Sequence, residues 1–421
     1  MDKLVIEGGK VLKGTVEVSG AKNACLPILA AELLSDEKSV IGNVPSLRDM
    51  STMLKIMKNL GASVHQEGDT IAVEPKGYKR YTAPYELVST MRASVCILGP
   101  LLAKQRKAEV SFPGGCVIGP RPIDLHLKGL RALGAKISVE KGYIIADGRH
   151  MRGGSVYLGG HFGSSVLATA NVMMAATLTK GVTIIENAAC EPEIVDLADF
   201  LIKMGAKIRG QATHRIIIEG VKKLHGAEHS VIPDRIEAGT YIIAAAITRG
   251  DITVNNARLE HLAAVCDRLT ESGLEIQKVP NGLRARYLRR LKPLDVTTLP
   301  YPGFPTDMQA QFMSLMAVTD GISVITEKIY PDRFIHVSEL ARMGSEIILE
   351  GQSAIVKGVR SLSGAPVMAS DLRASAALVL AGLVAKGRTD VNRIYHLDRG
   401  YERLEDKLER LGARVWREKE K

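Results

Sequence analysis

Aromatic residues make up only 4% of this 421-residue chain, with a single Trp, six Phe and eleven Tyr. Surfaces that bind nucleic acid interleave basic residues with aromatics on which bases stack, and that interleaving is missing here. Long apolar runs are missing as well: stretches such as Ala376 to Ala385 fall far short of the roughly 20 residues that cross a bilayer. The opening Met1-Asp2-Lys3-Leu4-Val5 does not resemble a signal peptide. Five cysteines, at 25, 96, 116, 190 and 266, form no CxxC pair and are odd in number, which suits reduced thiols better than a disulfide framework. A cytoplasmic protein with no membrane insertion is expected. Also absent are a GxxxxGKS/T phosphate loop, an HExxH helix, a GxSxG elbow and any Cys/His cluster at zinc spacing. Metal, nicotinamide and Ser-His-Asp chemistry lose support.

What remains is a globular composition, 46% hydrophobic and 24% charged, whose cores must be built from Leu, Ile, Val, Ala and Met. The length exceeds what one hydrophobic core supports, so two large domains are expected. Disorder is expected only at the charged tail Arg417-Glu418-Lys419-Glu420-Lys421. The 56 Lys and Arg against 46 Asp and Glu give a net charge of +10, which implies anionic partners. With nucleic acid disfavoured, a pocket for small phosphorylated substrates is the better reading.

A repeat runs along the whole chain. An amphipathic helix ends at a glycine and is followed by two short strands at Gly61, Gly134, Gly205, Gly273, Gly344 and Gly412, spaced 68 to 73 residues apart. Each glycine suits the left-handed position that stops a helix, and the alternation after it, as in Lys136-Ile137-Ser138-Val139, suits a half-buried strand. Each repeat also carries an earlier Ala-rich helix, over 23–34, 92–103, 166–178, 236–248, 308–318 and 372–385, followed by a turn and a strand. The unit reads strand, helix, strand, helix, strand, strand. Three such units make a lobe, with a division near residue 230. The Ala-rich helices begin near Lys22, Arg92, Ser165, Glu237, Asp307 and Leu372, and helix N-termini present free N–H groups and a positive dipole end. Equivalent ends that converge would make an anion-binding surface.

Cys116 lies in Phe112-Pro113-Gly114-Gly115-Cys116-Val117-Ile118-Gly119-Pro120-Arg121-Pro122, whose glycines and prolines exclude helix interior. A loop thiol near arginine has a lowered pKa and can act as acid or nucleophile; the alternative is an ordinary surface thiol. Cys25, Cys96, Cys190 and Cys266 sit in or beside apolar helical stretches and read as buried fillers. Lys22 stands at a helix start, and Arg92, Arg121, Arg373 and Arg399 have comparable placements that suit binding of phosphate and carboxylate, although any one arginine could be a surface charge. Asp307 and Asp371 each stand at a helix start, where a simple capping role is the alternative.

The segments SGAKNA around Lys22, TMRAS around Arg92, PGGCVIGPRPID around Cys116, ENAACEPEI at 186–194, FPTDMQAQF around Asp307, SDLRAS around Asp371 and YHLDRGYERLEDKL from Tyr395 resemble the UDP-N-acetylglucosamine 1-carboxyvinyltransferase (enolpyruvyl transferase) family over the full length. The resemblance implies an α/β fold of two lobes, each an inside-out α/β barrel of three βαβαββ repeats: 22–230 with the Cys116 loop, and 1–21 plus 231–421 with Asp307. A catalytic cleft would lie between them. It implies transfer of the enolpyruvyl group of phosphoenolpyruvate to the 3-hydroxyl of UDP-N-acetylglucosamine with release of phosphate, the first committed step of peptidoglycan precursor synthesis, with no metal or organic cofactor expected.

By the same resemblance Cys116 is the proton donor, Asp307 assists removal of the hydroxyl proton, and Lys22, Asn23, Arg121 and Arg399 hold phosphoenolpyruvate. The sugar nucleotide falls to Asn23, Arg92, Arg121, Pro122, Ile123, Asp124, Leu125, Ser165, Val166, Asp307 and Ile329, with Asp371, Arg373 and Arg333 in support. A fosfomycin-type epoxide would attack Cys116, and loop 112–121 would close to exclude water. The chain departs from the family pattern at Ser165-Val166-Leu167-Ala168-Thr169, where Leu167 replaces a customary glycine, at the preceding His161-Phe162-Gly163-Ser164, and at Pro120. The related transferase acting on shikimate 3-phosphate lacks the PGGC loop, and its Gly-Asn-Ala-Gly-Thr signature is absent here. A non-catalytic UDP-sugar-binding paralogue has only Leu167 in its favour.

Overall fold

In the computed structural model, which describes residues 2–113, 123–161 and 163–419, the repeat is visible first in its glycines. All six take positive φ, from 89° to 116°, a region open to glycine at little steric cost. In the first repeat, helix Arg48–Leu60 ends there, with Gly61 N–H donating to the carbonyls of Met57 and Lys58. The hairpin Ser63–Glu67 and Thr70–Glu74 follows at once.

Six four-stranded sheets result, each joining one parallel pair to two antiparallel partners. The third repeat illustrates the pattern. Ser155–Tyr157 runs parallel to Val182–Glu186, which pairs antiparallel with Arg215–Glu219, itself antiparallel to Lys207–Arg209. Burial alternates along Arg215–Glu219, as it must when one face packs on helices and the other meets water. The Ala-rich helices carry no such alternation. In Val166–Thr177 every residue from Ala168 onward is buried, and in Arg235–Ile247 every residue after Arg235 is buried, so small side chains let these helices pack closely. At one such contact Gly99 is obligatory, because a Cβ there would sit 2.3 Å from the carbonyl oxygen of Asn171.

The chain folds as two compact units. One takes the segment up to Ser19 together with Pro233 onward, and the other runs from Gly20 to Ile232. Each has its own hydrophobic core and three of the four-stranded sheets. Both close through strands distant in sequence. Glu228–Ser230 returns to pair with Ser39–Gly42, while Asp2–Glu7 inserts between Arg388–Asn392 and Arg414–Lys419.

That last pairing corrects the expectation for Arg417 to Lys419, while Glu420 and Lys421 lie outside the described residues. Arg417 to Lys419 belong to a strand in register with Asp2 to Leu4, and the Arg417 guanidinium is held by Asp398 and Glu405; paired backbone and multiple ion pairs outweigh the charge density that suggested disorder. Two helix starts also differ from expectation. Arg92–Ile97 is a 3-10 turn leading into helix Leu98–Gln105, and Thr306–Met308 is a 3-10 turn before helix Gln309–Met316. Among the described residues no helix is long and apolar enough to cross a membrane.

Candidate active site

In the unit containing the C-terminal half, three Ala-rich helices pack against one another: Arg235–Ile247, Gln309–Met316 and Leu372–Val384. Near their starts lie Asp234, Asp307 and Asp371, which have different roles. Asp234 and Asp371 are caps, each accepting two backbone N–H groups of its own helix. Asp307 is not at a cap position: it lies inside the 3-10 turn Thr306–Met308, whose N-cap is Pro305, and the N-cap of the following helix is Met308. Its carboxylate instead accepts from Arg333 at Oδ1 (Nη1, 2.8 Å) and from Arg373 at Oδ2 (Nε, 3.2 Å). The capping alternative therefore holds for Asp371 and fails for Asp307.

Both guanidinium groups are buried, whereas the Asp307 side chain is 26% exposed. Burial alone would lower the pKa of Arg373, but the charge of Asp307 beside it holds the group above the ordinary arginine range. The same competition, burial against Asp307 with help from Asp371, leaves Arg333 raised as well. Arg373 stacks on Tyr401 at 5.4 Å, and the Tyr401 hydroxyl meets Thr240 at 2.8 Å. Gln311 donates to the Asp307 carbonyl at 2.9 Å, fixing the backbone that carries the carboxylate. A carboxylate oriented by two buried cations and still open on one side is suited to accept a proton from a bound hydroxyl.

The other unit presents Lys22 as the first residue of helix Lys22–Ala31. A cation at a helix N-terminus runs against the macrodipole, and Lys22 is only 8% exposed. It is stabilised there by Asp49, whose Oδ2 lies 2.6 Å from Nζ. Such an arrangement holds a positive charge at the positive end of a helix dipole, a combination suited to an anion. Asn23 beside it is exposed. Helix Lys22–Ala31, the turn Arg92–Ile97 and helix Val166–Thr177 pack together, so the elements that carry Lys22, Arg92 and Val166 are neighbours. Ser165 caps its helix, accepting from Ala168 N–H at 3.4 Å. Leu167 is half-buried and packs on the hydrophobic core.

Of the other residues singled out, Ile123 is buried, Asp124 exposed and Leu125 half-buried, all at the start of helix Asp124–Ala132. The Ile329 N–H donates to Glu327 at 2.8 Å. Arg399 is half-buried at the end of the 3-10 turn Ile394–Arg399. Cys116, Arg121 and Pro122 lie outside the described residues. The other four cysteines are buried; burial pushes Cys96 and Cys266 up to about 12.

Sequence reasoning missed a polar clamp in this unit. Asn171 Nδ2 meets the Val95 carbonyl and His126 Nδ1, each at 2.8 Å, and its Oδ1 accepts from Gly99 N–H at 2.7 Å. With Nδ1 accepting, His126 carries its proton on Nε2; burial, with Arg92 adding to it, lowers its pKa to about 3. The available signal was a lone Asn inside the otherwise apolar run Val166–Thr177.

Residues 6–408 match the family described as EPSP synthase (3-phosphoshikimate 1-carboxyvinyltransferase). Among curated proteins, the chain is 54% identical over 417 residues to a UDP-N-acetylglucosamine 1-carboxyvinyltransferase of Methylacidiphilum infernorum, covering 99% of each. It is 55% identical over 420 residues to a protein of the same name from Geotalea uraniireducens, covering 100% of each. Among solved structures, the enolpyruvyl transferase NikO from Streptomyces tendae superposes with a TM-score of 0.89 at 24% identity, covering 99% of this chain and 98% of that one. An EPSP synthase from Acinetobacter baumannii gives 0.79 at 17% identity with full coverage of both. At these identities the two structures establish the fold.

Proposed function

Because the chain belongs to the UDP-N-acetylglucosamine 1-carboxyvinyltransferase family, we propose that it transfers the enolpyruvyl group of phosphoenolpyruvate to the 3-hydroxyl of UDP-N-acetylglucosamine and releases phosphate. Full-length identity near 54% to proteins of that name carries the reading. The arrangement of Asp307 between Arg333 and Arg373 supports it.

The reaction runs in two steps. As the sugar hydroxyl attacks C2 of phosphoenolpyruvate, Asp307 takes the hydroxyl proton and Cys116 gives a proton to the methylene carbon, leaving a tetrahedral adduct. The Cys116 thiolate then takes a proton back from the new methyl group, and phosphate departs carrying the proton that Asp307 had taken, which forms the vinyl ether and resets both residues. Positive charge develops at C2 in both steps, so a strong, positioned acid and base are required. Lys22, Asn23, Arg121 and Arg399 hold the phosphate and carboxylate of phosphoenolpyruvate. Arg92, Arg121 through Leu125, Ser165, Val166 and Ile329 take the sugar nucleotide. On this reading residues 22–230 form the lobe that carries Cys116 in its sequence, and residues 1–21 plus 231–421 the lobe that carries Asp307. This chemistry opens peptidoglycan precursor synthesis in the cytoplasm, and a fosfomycin-type epoxide would alkylate Cys116.

Phosphate release from protein, phosphoenolpyruvate and UDP-N-acetylglucosamine tests the reading, with shikimate 3-phosphate as a parallel acceptor. Release with the sugar nucleotide alone is expected. Turnover with shikimate 3-phosphate, or nucleotide binding without turnover, would overturn it.

A further inference from the structure

Glu327 is fully buried next to the Asp307 assembly, in the same unit, and takes no part in the steps above. Both of its carboxylate oxygens accept hydrogen bonds. Oε1 accepts from the Thr298 hydroxyl (2.7 Å) and from the N–H groups of Ile329 (2.8 Å) and Tyr330 (2.9 Å), and Oε2 accepts from the Thr306 hydroxyl (2.8 Å). A buried carboxylate so fully served is a fixed part of its surroundings.

The Thr306 hydroxyl has one proton, which it donates to Oε2. The hydroxyl lone pair is thereby turned toward Arg333, whose Nη1 donates to it at 2.9 Å while also donating to Asp307 Oδ1 at 2.8 Å. A second route ends on the same guanidinium. Glu327 fixes the Tyr330 backbone, and the Tyr330 ring lies 5.8 Å from the Arg333 guanidinium carbon.

We propose that Glu327 is a positioning residue for the transfer reaction, holding Arg333 on Asp307 through the Thr306 hydroxyl and the Tyr330 ring. The inference rests on Asp307 acting as the base. Among the described residues, the charged and titratable groups around that carboxylate include Arg333 and Arg373 in direct contact, with Glu327, Asp371, Asp234, His336 and Tyr401 behind them. In Glu327→Gln the carboxamide can keep Oε1 for its three donors only by turning its NH2 toward Thr306. The hydroxyl then accepts from the amide and no longer has a carboxylate oxygen to receive its proton, so the bond that turned its lone pairs toward Arg333 is lost and the hold on Arg333 at Asp307 weakens. Thr306→Val cuts the same link while leaving Glu327 its bonds to Thr298, Ile329 and Tyr330.

The test is a 13C carboxyl NMR titration of Asp307, its signal identified by its loss in Asp307→Asn. Weakening one of two cationic partners should raise the Asp307 midpoint by about one pH unit in either variant, with the double variant moving no further than the larger single shift. The acid limb of kcat should move by the same amount. An unchanged Asp307 midpoint in either folded variant overturns the inference, and should Glu327→Gln fail to fold, Thr306→Val decides alone. Since the titration needs no turnover, its outcome is separate from phosphate release by the unaltered enzyme, which tests the reaction itself.

Discussion

In the proposed reaction Asp307 and Cys116 divide the chemistry at the scale of single residues, and each can be probed alone. A positioned general base contributes about 10²- to 10⁴-fold in rate, so Asp307→Asn should lower kcat for phosphate release by that order while the protein stays folded. Loss of less than tenfold would show that the two arginines around it serve a purpose other than orienting a base. For Cys116 the comparison is with its four counterparts. Burial raises the pKa of Cys25, Cys96, Cys190 and Cys266 and keeps them from reagents, and thiolate, not thiol, is the alkylated form. Limited iodoacetamide treatment followed by peptide mapping should find Cys116 labelled first. Earlier labelling of Cys25 or Cys266 would contradict its assignment as the reactive thiol.

The repeat is an affair of elements, and its recurring cost is one left-handed residue per helix end. Gly344 isolates that cost, because it has φ +89° and a Cβ there would meet nothing within 4 Å. Gly344→Ala should therefore destabilise by about 1 kcal/mol from backbone conformation alone, read as a lower urea midpoint at unchanged slope. A neutral result would mean that helix His336–Arg342 ends equally well without a left-handed residue. The Ala-rich helices obey a different rule. Their small side chains bring backbones close, and polar exceptions such as Asn171, bonded to Val95, Gly99 and His126, tie the broken second-repeat helix to its neighbours where hydrogen bonds within one helix cannot.

For the whole molecule, each unit contains a buried neutral imidazole. Burial lowers His126 to about 3 and His336 to about 4, with Asp371 partly opposing the shift at His336. An unfolded histidine titrates near ~6.5, so between that value and the folded one the unfolded chain binds protons that the folded chain refuses. Stability is then fully present above about pH 6.5 and is lost as pH falls toward 4, by about 2 kcal/mol per histidine at pH 5. Thermal melting between pH 7 and 4.5 should show the fall, and His126→Gln should make the curve shallower. A melting temperature flat across that interval would rule out neutral burial of both rings.

The six repeats were legible in the sequence because their signals are local: a glycine required at a left-handed helix end, an alternating strand immediately after it, and alanine enrichment in the packed helices. The motifs around Lys22, Arg92, Asp307 and Arg373 were legible for the same reason, since each is a short string at a helix start. Partners lay beyond reach. That Asp307 is clasped by Arg333 and Arg373, 26 and 66 residues away, that Glu327 stands behind them, and that Asp49 offsets Lys22 depend on which elements pack together. The Arg414–Lys419 tail became a strand for that reason too: Asp2–Glu7, at the opposite end of the chain, supplies its hydrogen bonds. Local backbone preference determined the elements by sequence alone, whereas pairings between distant charges and edges were decided only when burial forced each polar group to find a partner.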